Sequence, residues 1–97
     1  MSRKHIDKSA KYEILCLAGT RCMFCGEDVG SEITWHHLKP RYAGGTDTLD
    51  NSSLLCSCCH RIIHQYEWGT SEYTQMTKII LANRNAFVGR TLPFSFE

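Results

Sequence analysis

Nowhere does this 97-residue chain contain a long apolar run. Its first residues, Met1-Ser2-Arg3-Lys4-His5-Ile6-Asp7-Lys8, lack the hydrophobic stretch of a secretion signal, and no later segment is long enough to cross a bilayer. The expected compartment is therefore the reducing cytoplasm, that of a host cell if the gene is carried by a phage. A strong charge of either sign is missing too. Eleven Lys and Arg face ten Asp and Glu, which excludes attraction of the whole molecule to a polyanion. Internal repeats and low-complexity stretches are also absent.

What the chain does have is cysteine and histidine. Six cysteines in so short a chain imply either disulfides or a metal, and a reducing compartment favours the metal. Cys22-x-x-Cys25 is followed by Gly26, which lets the chain turn so that backbone N–H groups face the sulfurs. Thirty residues further on comes a second pair, Cys56-x-x-Cys59. Two such knuckles supply four thiolates to one tetrahedral Zn²⁺, a closed structural site with no position left for substrate. Cys58 offers an alternative register, but Cys56 and Cys59 repeat the gap of the first pair, so Cys58 is expected to be spare. Cys16 is expected to be a small buried hydrophobe.

Local patterning predicts a small α+β domain spanning residues 1–97, with a core at about 20–68. The spacing of Ala10, Ile14, Leu17 and Ala18 predicts a helix over 9–18 stopped by Gly19, within a basic N-terminal segment 1–19. Ile33 to Leu38, β-branched and aromatic, predicts a strand closed by Pro40, and Ser53 to Cys56 a second one after a loop centred on Gly44-Gly45. A helix is expected from near Ser57 to Trp68, ended by Gly69, with Ile62, Ile63 and Tyr66 as its apolar surface. A last helix is expected at about 72–84, capped from Thr70-Ser71 and packing through Tyr73, Met76, Ile80 and Phe87. Ile79-Ile80 and Leu92-Pro93-Phe94 are read as packing residues, within a C-terminal region 70–97 whose tail is either docked or loose.

Four of the five histidines fall between Trp35 and His64. His60 and His64, four apart, share one face of a helix, so their rings can converge on one ion. On a regular strand His36 and His37 face opposite ways. One of them is then a third ligand and the other a base, since an imidazole titrates near neutrality and can take a proton from water attacking phosphorus. Three protein ligands leave room for water and a phosphate oxygen, as a catalytic centre requires. Asn51 is suited to pin the loop back onto the strand and to hold the base in orientation. Lys39, Arg41 and Arg61, with Arg3, Lys4, Lys8 and Lys11, are the candidate phosphate contacts.

Taken together, Cys-x-x-Cys, His-His-x-x-Pro, Gly-Gly, Asp-Asn and Leu-Cys-x-x-Cys-His-x-x-x-His resemble the HNH endonucleases, the ββα-metal nucleases, over about residues 20–65. The resemblance implies a ββα-metal core with a four-cysteine structural zinc and flanking helices. It implies His36 and His60 as metal ligands, His37 as general base, and Asn51 as the structural asparagine. His64 looks like the additional helix histidine of colicin-type members. The implied activity is hydrolysis of DNA with a single catalytic divalent metal, leaving 5′-phosphate and 3′-hydroxyl ends. Where many members carry Asp, this chain has His36, and an all-imidazole set suits Zn²⁺, Mn²⁺, Ni²⁺ or Co²⁺ better than Mg²⁺. The partner implied is DNA, with the protein acting as a monomer or a homodimer. A non-catalytic zinc-ribbon-like nucleic-acid-binding module is the alternative; such a module needs the cysteines but has no use for a base beside three imidazoles.

Overall fold

Two short antiparallel strands carry the histidine pair and lead into the histidine helix. In the computed structural model, which describes residues 6–97, β1 (Ile33–His37) pairs with β2 (Ser52–Cys56) in the register Ile33↔Cys56 to His37↔Ser52. A two-stranded ribbon is not stable alone. Here α1 (Lys8–Ala18), α2 (Ser57–Ile63) and α3 (Ser71–Val88) pack around it, giving one small α+β domain of the ββα-metal type. Of the phosphate candidates, Arg3 and Lys4 lie outside the described residues.

The core forms where the first cysteine knuckle, β2 and the helices meet: Ile14, Cys22, Met23, Leu38, Leu54, Leu55, Ile63, Tyr73 and Ile80 are all buried there. Ser52 and Ser53 are buried on the same strand, their hydroxyls satisfied by the carbonyls of Thr48 and His36. The Met23 amide donates to Leu54 O at 2.8 Å, and Asn83 of α3 donates to Met23 O at 2.9 Å, so knuckle, strand and helix are tied in series.

Between the strands, residues 38–51 form a loop whose closure depends on two side chains. Asn51 Oδ1 accepts from the Lys39 amide at 2.7 Å, while its Nδ2 donates to Lys39 O and Thr46 O. A side-chain amide thus acts as a piece of backbone ladder. Gly45 makes room for it: a Cβ there would lie 1.7 Å from Lys39 O, and Gly44 takes φ +97° to complete the turn. The second side chain is Arg84, fully buried in α3, whose Nη1 donates to Leu49 O, Asp50 O and Ser52 O and whose Nη2 donates to Leu92 O. Burial lowers its pKa to about 10, so the guanidinium stays charged at neutral pH. It fixes the start of β2 and the C-terminal tail together, and the tail docks through Leu92 and Phe94.

Several expectations need correction. Helix α2 ends at Ile63, not Trp68, because the amides of Gln65 and Tyr66 bond back only three residues, to Ile62 O and Ile63 O, which tightens the chain into a turn. That turn brings Trp68 against the core and within 5.6 Å of the Tyr73 ring. Ile62 and Tyr66 are consequently exposed, and only Ile63 of the expected trio is buried. Helix α3 continues past residue 84 to Val88, as its left-handed stop is Gly89. Cys16 and Leu17 are exposed, since α1 buries the Ala10–Ile14 line alone.

Replacing Arg84 by Met keeps the bulk and removes the donors from four carbonyls. Arg84→Met is expected to lower the unfolding free energy by roughly 3 kcal/mol or more, read from urea melts; an unshifted midpoint would mean the clamp is replaceable.

Candidate active site and metal centres

Both cysteine pairs come together. One ligand sulfur from each of Cys22, Cys25, Cys56 and Cys59 lies within 4.8 Å of the other three, and Cys25 Sγ and Cys56 Sγ are 4.0 Å apart. A tetrahedral zinc with arms of about 2.3 Å requires sulfur–sulfur edges of about 3.8 Å, so the cluster is of the right size to hold zinc. The backbone is arranged for thiolates as well. Burial works against ionisation of Cys22, but backbone amides, among them those of Phe24 and Cys25, outweigh it and bring its pKa down to about 7. Cys59 is pushed the other way, first by burial and then by its sulfur neighbours, an opposition that a bound cation would relieve. Cys16 and Cys58 are both exposed and lie outside the cluster.

Cys56 also caps α2. Its sulfur accepts from the Cys59 amide at 3.4 Å, so the cluster sets where the helix begins and hence where His60 and His64 stand. His64 sits one residue beyond the helix, yet its amide still bonds His60 O, preserving the one-turn spacing. The two rings are 4.6 Å apart, and the ring of His36 approaches them from β1 at 5.2 and 5.8 Å. One ligand nitrogen from each of the three lies within 4.8 Å of the others.

His36 is 2% exposed, and its Nε2 is buried without a hydrogen-bond partner among the described residues. A buried nitrogen of this kind is costly unless something takes its lone pair, which makes the trio a fitting ligand set for a divalent ion. Burial, followed by the neighbouring imidazoles, holds the His36 pKa far below the ordinary value; burial and then His64 lower that of His60 to about 4. Both are thus kept neutral, the form that ligates metal.

Strand alternation turns His37 away from the trio, but its place at the end of β1 leaves it on the same cavity. That cavity, of about 350 Å³, is lined by Trp35, His36, His37, Arg41, Tyr42, His60, His64 and Tyr73, with Pro40 at its edge. His37 Nε2 lies 2.8 Å from Asp47 Oδ1, and Arg41 donates to the other oxygen of Asp47. These two hydrogen bonds, Arg41 first, hold the Asp47 carboxyl below its usual range. Asp47 was not among the residues singled out from sequence: it sits in an aperiodic loop, and nothing but its place between His37 and Asn51 distinguishes it. Thr34 was missed as well, although alternation puts it on the His36 face; its hydroxyl is 2.8 Å from His60 Nδ1. Asn51 holds the loop rather than touching His37.

The phosphate candidates separate. Arg41 is engaged by Asp47, Lys39 Nζ donates to Glu97 O, and Lys11 lies over the Trp35 ring at 5.7 Å. Arg61, one residue past His60, is exposed and has no side-chain hydrogen bond or ion pair among the described residues. None of the described helices is long and apolar enough to cross a membrane.

An antiparallel hairpin feeding a short helix, with a four-sulfur cluster at the joint and imidazoles above it, defines a ββα-metal protein. A model of the HNH endonuclease family matches residues 22–66. The chain is 34% identical over 65 residues to anaredoxin from Nostoc sp. (strain PCC 7120), covering 67% of this chain and 84% of that protein. It is also 34% identical over 77 residues to the type IV methyl-directed restriction enzyme EcoKMcrA of Escherichia coli K12, covering 72% of this chain and 27% of the enzyme. The chain belongs to the HNH endonuclease family, a family of metal-using nucleases.

Two measurements follow from the centres. Complete removal of zinc from the cysteine cluster is expected to abolish the cooperative thermal transition and much of the helical circular dichroism, because ion binding is folding free energy in small zinc domains. An unchanged melt after chelation would exclude a structural zinc. For protein with no metal on the histidines, the sign at His60 is clear. Above pH 6.5 neither folded nor unfolded chain is protonated there; between 6.5 and about 4 only the unfolded chain takes the proton, so stability falls as pH falls through that window. His60→Gln is expected to flatten this part of the melting-temperature profile relative to wild type, with the cysteine contribution common to both.

Proposed function

We propose that this chain is a metal-dependent endonuclease that hydrolyses DNA phosphodiester bonds, with residues 20–68 as the nuclease core and 1–19 and 70–97 as flanking support within one domain. The observation that carries the reading is the shared cavity: the imidazole trio and a separate, unligated His37 open onto the same 350 Å³ space. A binding module has no need of that pairing.

In this reading His36, His60 and His64 hold the ion. When bound, the ion supplies charge stabilisation for the phosphoryl group and for the departing oxygen. An all-nitrogen set fits Zn²⁺, Mn²⁺, Ni²⁺ or Co²⁺ in preference to Mg²⁺. His37 takes the proton of the attacking water as that water forms its bond to phosphorus. The bond to the 3′-oxygen breaks and that oxygen takes a proton from solvent water, leaving a 5′-phosphate and a 3′-hydroxyl.

The partners of His37 support Nδ1 as the nitrogen that acts. An ionised Asp47 only accepts, so it holds Nε2–H and leaves the lone pair on Nδ1 to receive the proton. Arg41 steadies that carboxylate in place of a direct phosphate contact, and Asn51 holds the loop that carries Asp47. Arg61, exposed on the His60 helix, is assigned to a flanking phosphate, with Lys39 and Lys11 further out.

The test is nicking of supercoiled plasmid across Mg²⁺, Mn²⁺, Zn²⁺, Ni²⁺ and Co²⁺. Wild type is expected to nick in at least one of these, and His37→Ala to lose on the order of 10²–10⁴-fold with its melting temperature retained. DNA binding without nicking in any metal would identify a non-catalytic module, and equal nicking by the mutant would place the chemistry elsewhere.

A further inference from the structure

We infer that Thr34 is a positioning residue for the histidine-held ion: its hydroxyl fixes the tautomer of His60, so that Nε2 is the nitrogen presented to metal. The inference rests on the reading of His36, His60 and His64 as ligands. Thr34 Oγ1 lies 2.8 Å from Leu55 O and 2.8 Å from His60 Nδ1. A hydroxyl has a single proton, and a carbonyl oxygen can only accept. Thr34 therefore donates to Leu55 O. Its oxygen is left to accept, and the only arrangement free of facing lone pairs puts the hydrogen of His60 on Nδ1. The lone pair of the neutral ring is then on Nε2.

Two features make this a built device. Thr34 and Leu55 are directly paired across the strands, so the hydroxyl is anchored to the partner strand rather than to a mobile loop. Thr34 and His36 lie on the same face of β1, so one strand supplies a ligand and also orients a ligand on α2. Outer partners of ligating histidines typically change metal affinity by about 10–100-fold when removed.

The experiment uses the full chain with zinc on its four cysteines, titrated with Ni²⁺ in a calorimeter. Thr34→Val keeps shape and β-branching but removes the hydroxyl, and is expected to bind Ni²⁺ about 10–100-fold more weakly than wild type. Thr34→Ser restores the acceptor and is expected to recover affinity to within a few-fold. Nitrogen-15 spectra of the same protein before Ni²⁺ is added report the ring directly: His60 should be the Nδ1–H form in wild type and Thr34→Ser, and a mixture in Thr34→Val. Stoichiometric zinc and a cooperative melt certify the fold of each variant. Absence of Ni²⁺ uptake by the wild type would overturn the three-histidine reading itself. Wild-type uptake matched by Thr34→Val would overturn the assignment of Thr34 and leave that reading intact.

Discussion

The placement of the imidazoles depends on four sulfur atoms. Cys22 and Cys25 lie on a turn held by the Arg21–Asp28 bridge, and Cys56 and Cys59 lie at the junction of β2 and α2. Bringing the pairs together fixes the end of one strand and the first turn of the helix in a single step. His60, on α2, and His64, at its C-terminal cap, follow one and two turns later, so their positions are inherited from the cluster. His36 reaches the same point through the β1–β2 register. A chain of this length has too small a core to fix the His36, His60 and His64 cluster by hydrophobic burial alone.

Opposite the sulfur cluster, the loop between the strands is held by hydrogen bonds instead of metal. Asn51 joins its two limbs from within, and Arg84 gathers three carbonyls at its end from α3. The Asp7 amide bonds Asp47 O, so the start of α1 also bears on it. The loop is therefore braced on several sides although it has no sheet or long helix of its own. That bracing allows an aperiodic segment to carry Asp47 at a defined distance from His37.

Much of this was legible in the sequence, for reasons that are local. The cysteine pairs announce themselves by spacing, His60 and His64 by a one-turn interval, and the opposed faces of His36 and His37 by strand alternation; the hairpin and all three helices also follow from patterning. What was hidden depends on tertiary contacts. The early end of α2 reflects the pull of Trp68 into the core, which helical periodicity through Tyr66 does not reveal. Cys16 lies outside the narrow stripe that α1 buries. Arg84 looks like a solvent residue in a polar stretch, Asn83-Arg84-Asn85, and becomes central only because four carbonyls from distant segments point at it. Asp47 and Thr34 act through partners 10 and 26 residues away, separations at which a single sequence carries no periodic signal.

The clearance at Gly45 bears on how this protein can be re-engineered. The atom that a Cβ would strike is a backbone oxygen, itself bonded to Asn51, so no rotamer change can relieve the collision. Even alanine is excluded there without undoing the clasp. Thr46 and Thr48, by contrast, join their hydroxyls only to each other at 2.8 Å on the exposed rim. A combinatorial library of this loop is best diversified at those two threonines, with the neighbouring glycine left invariant.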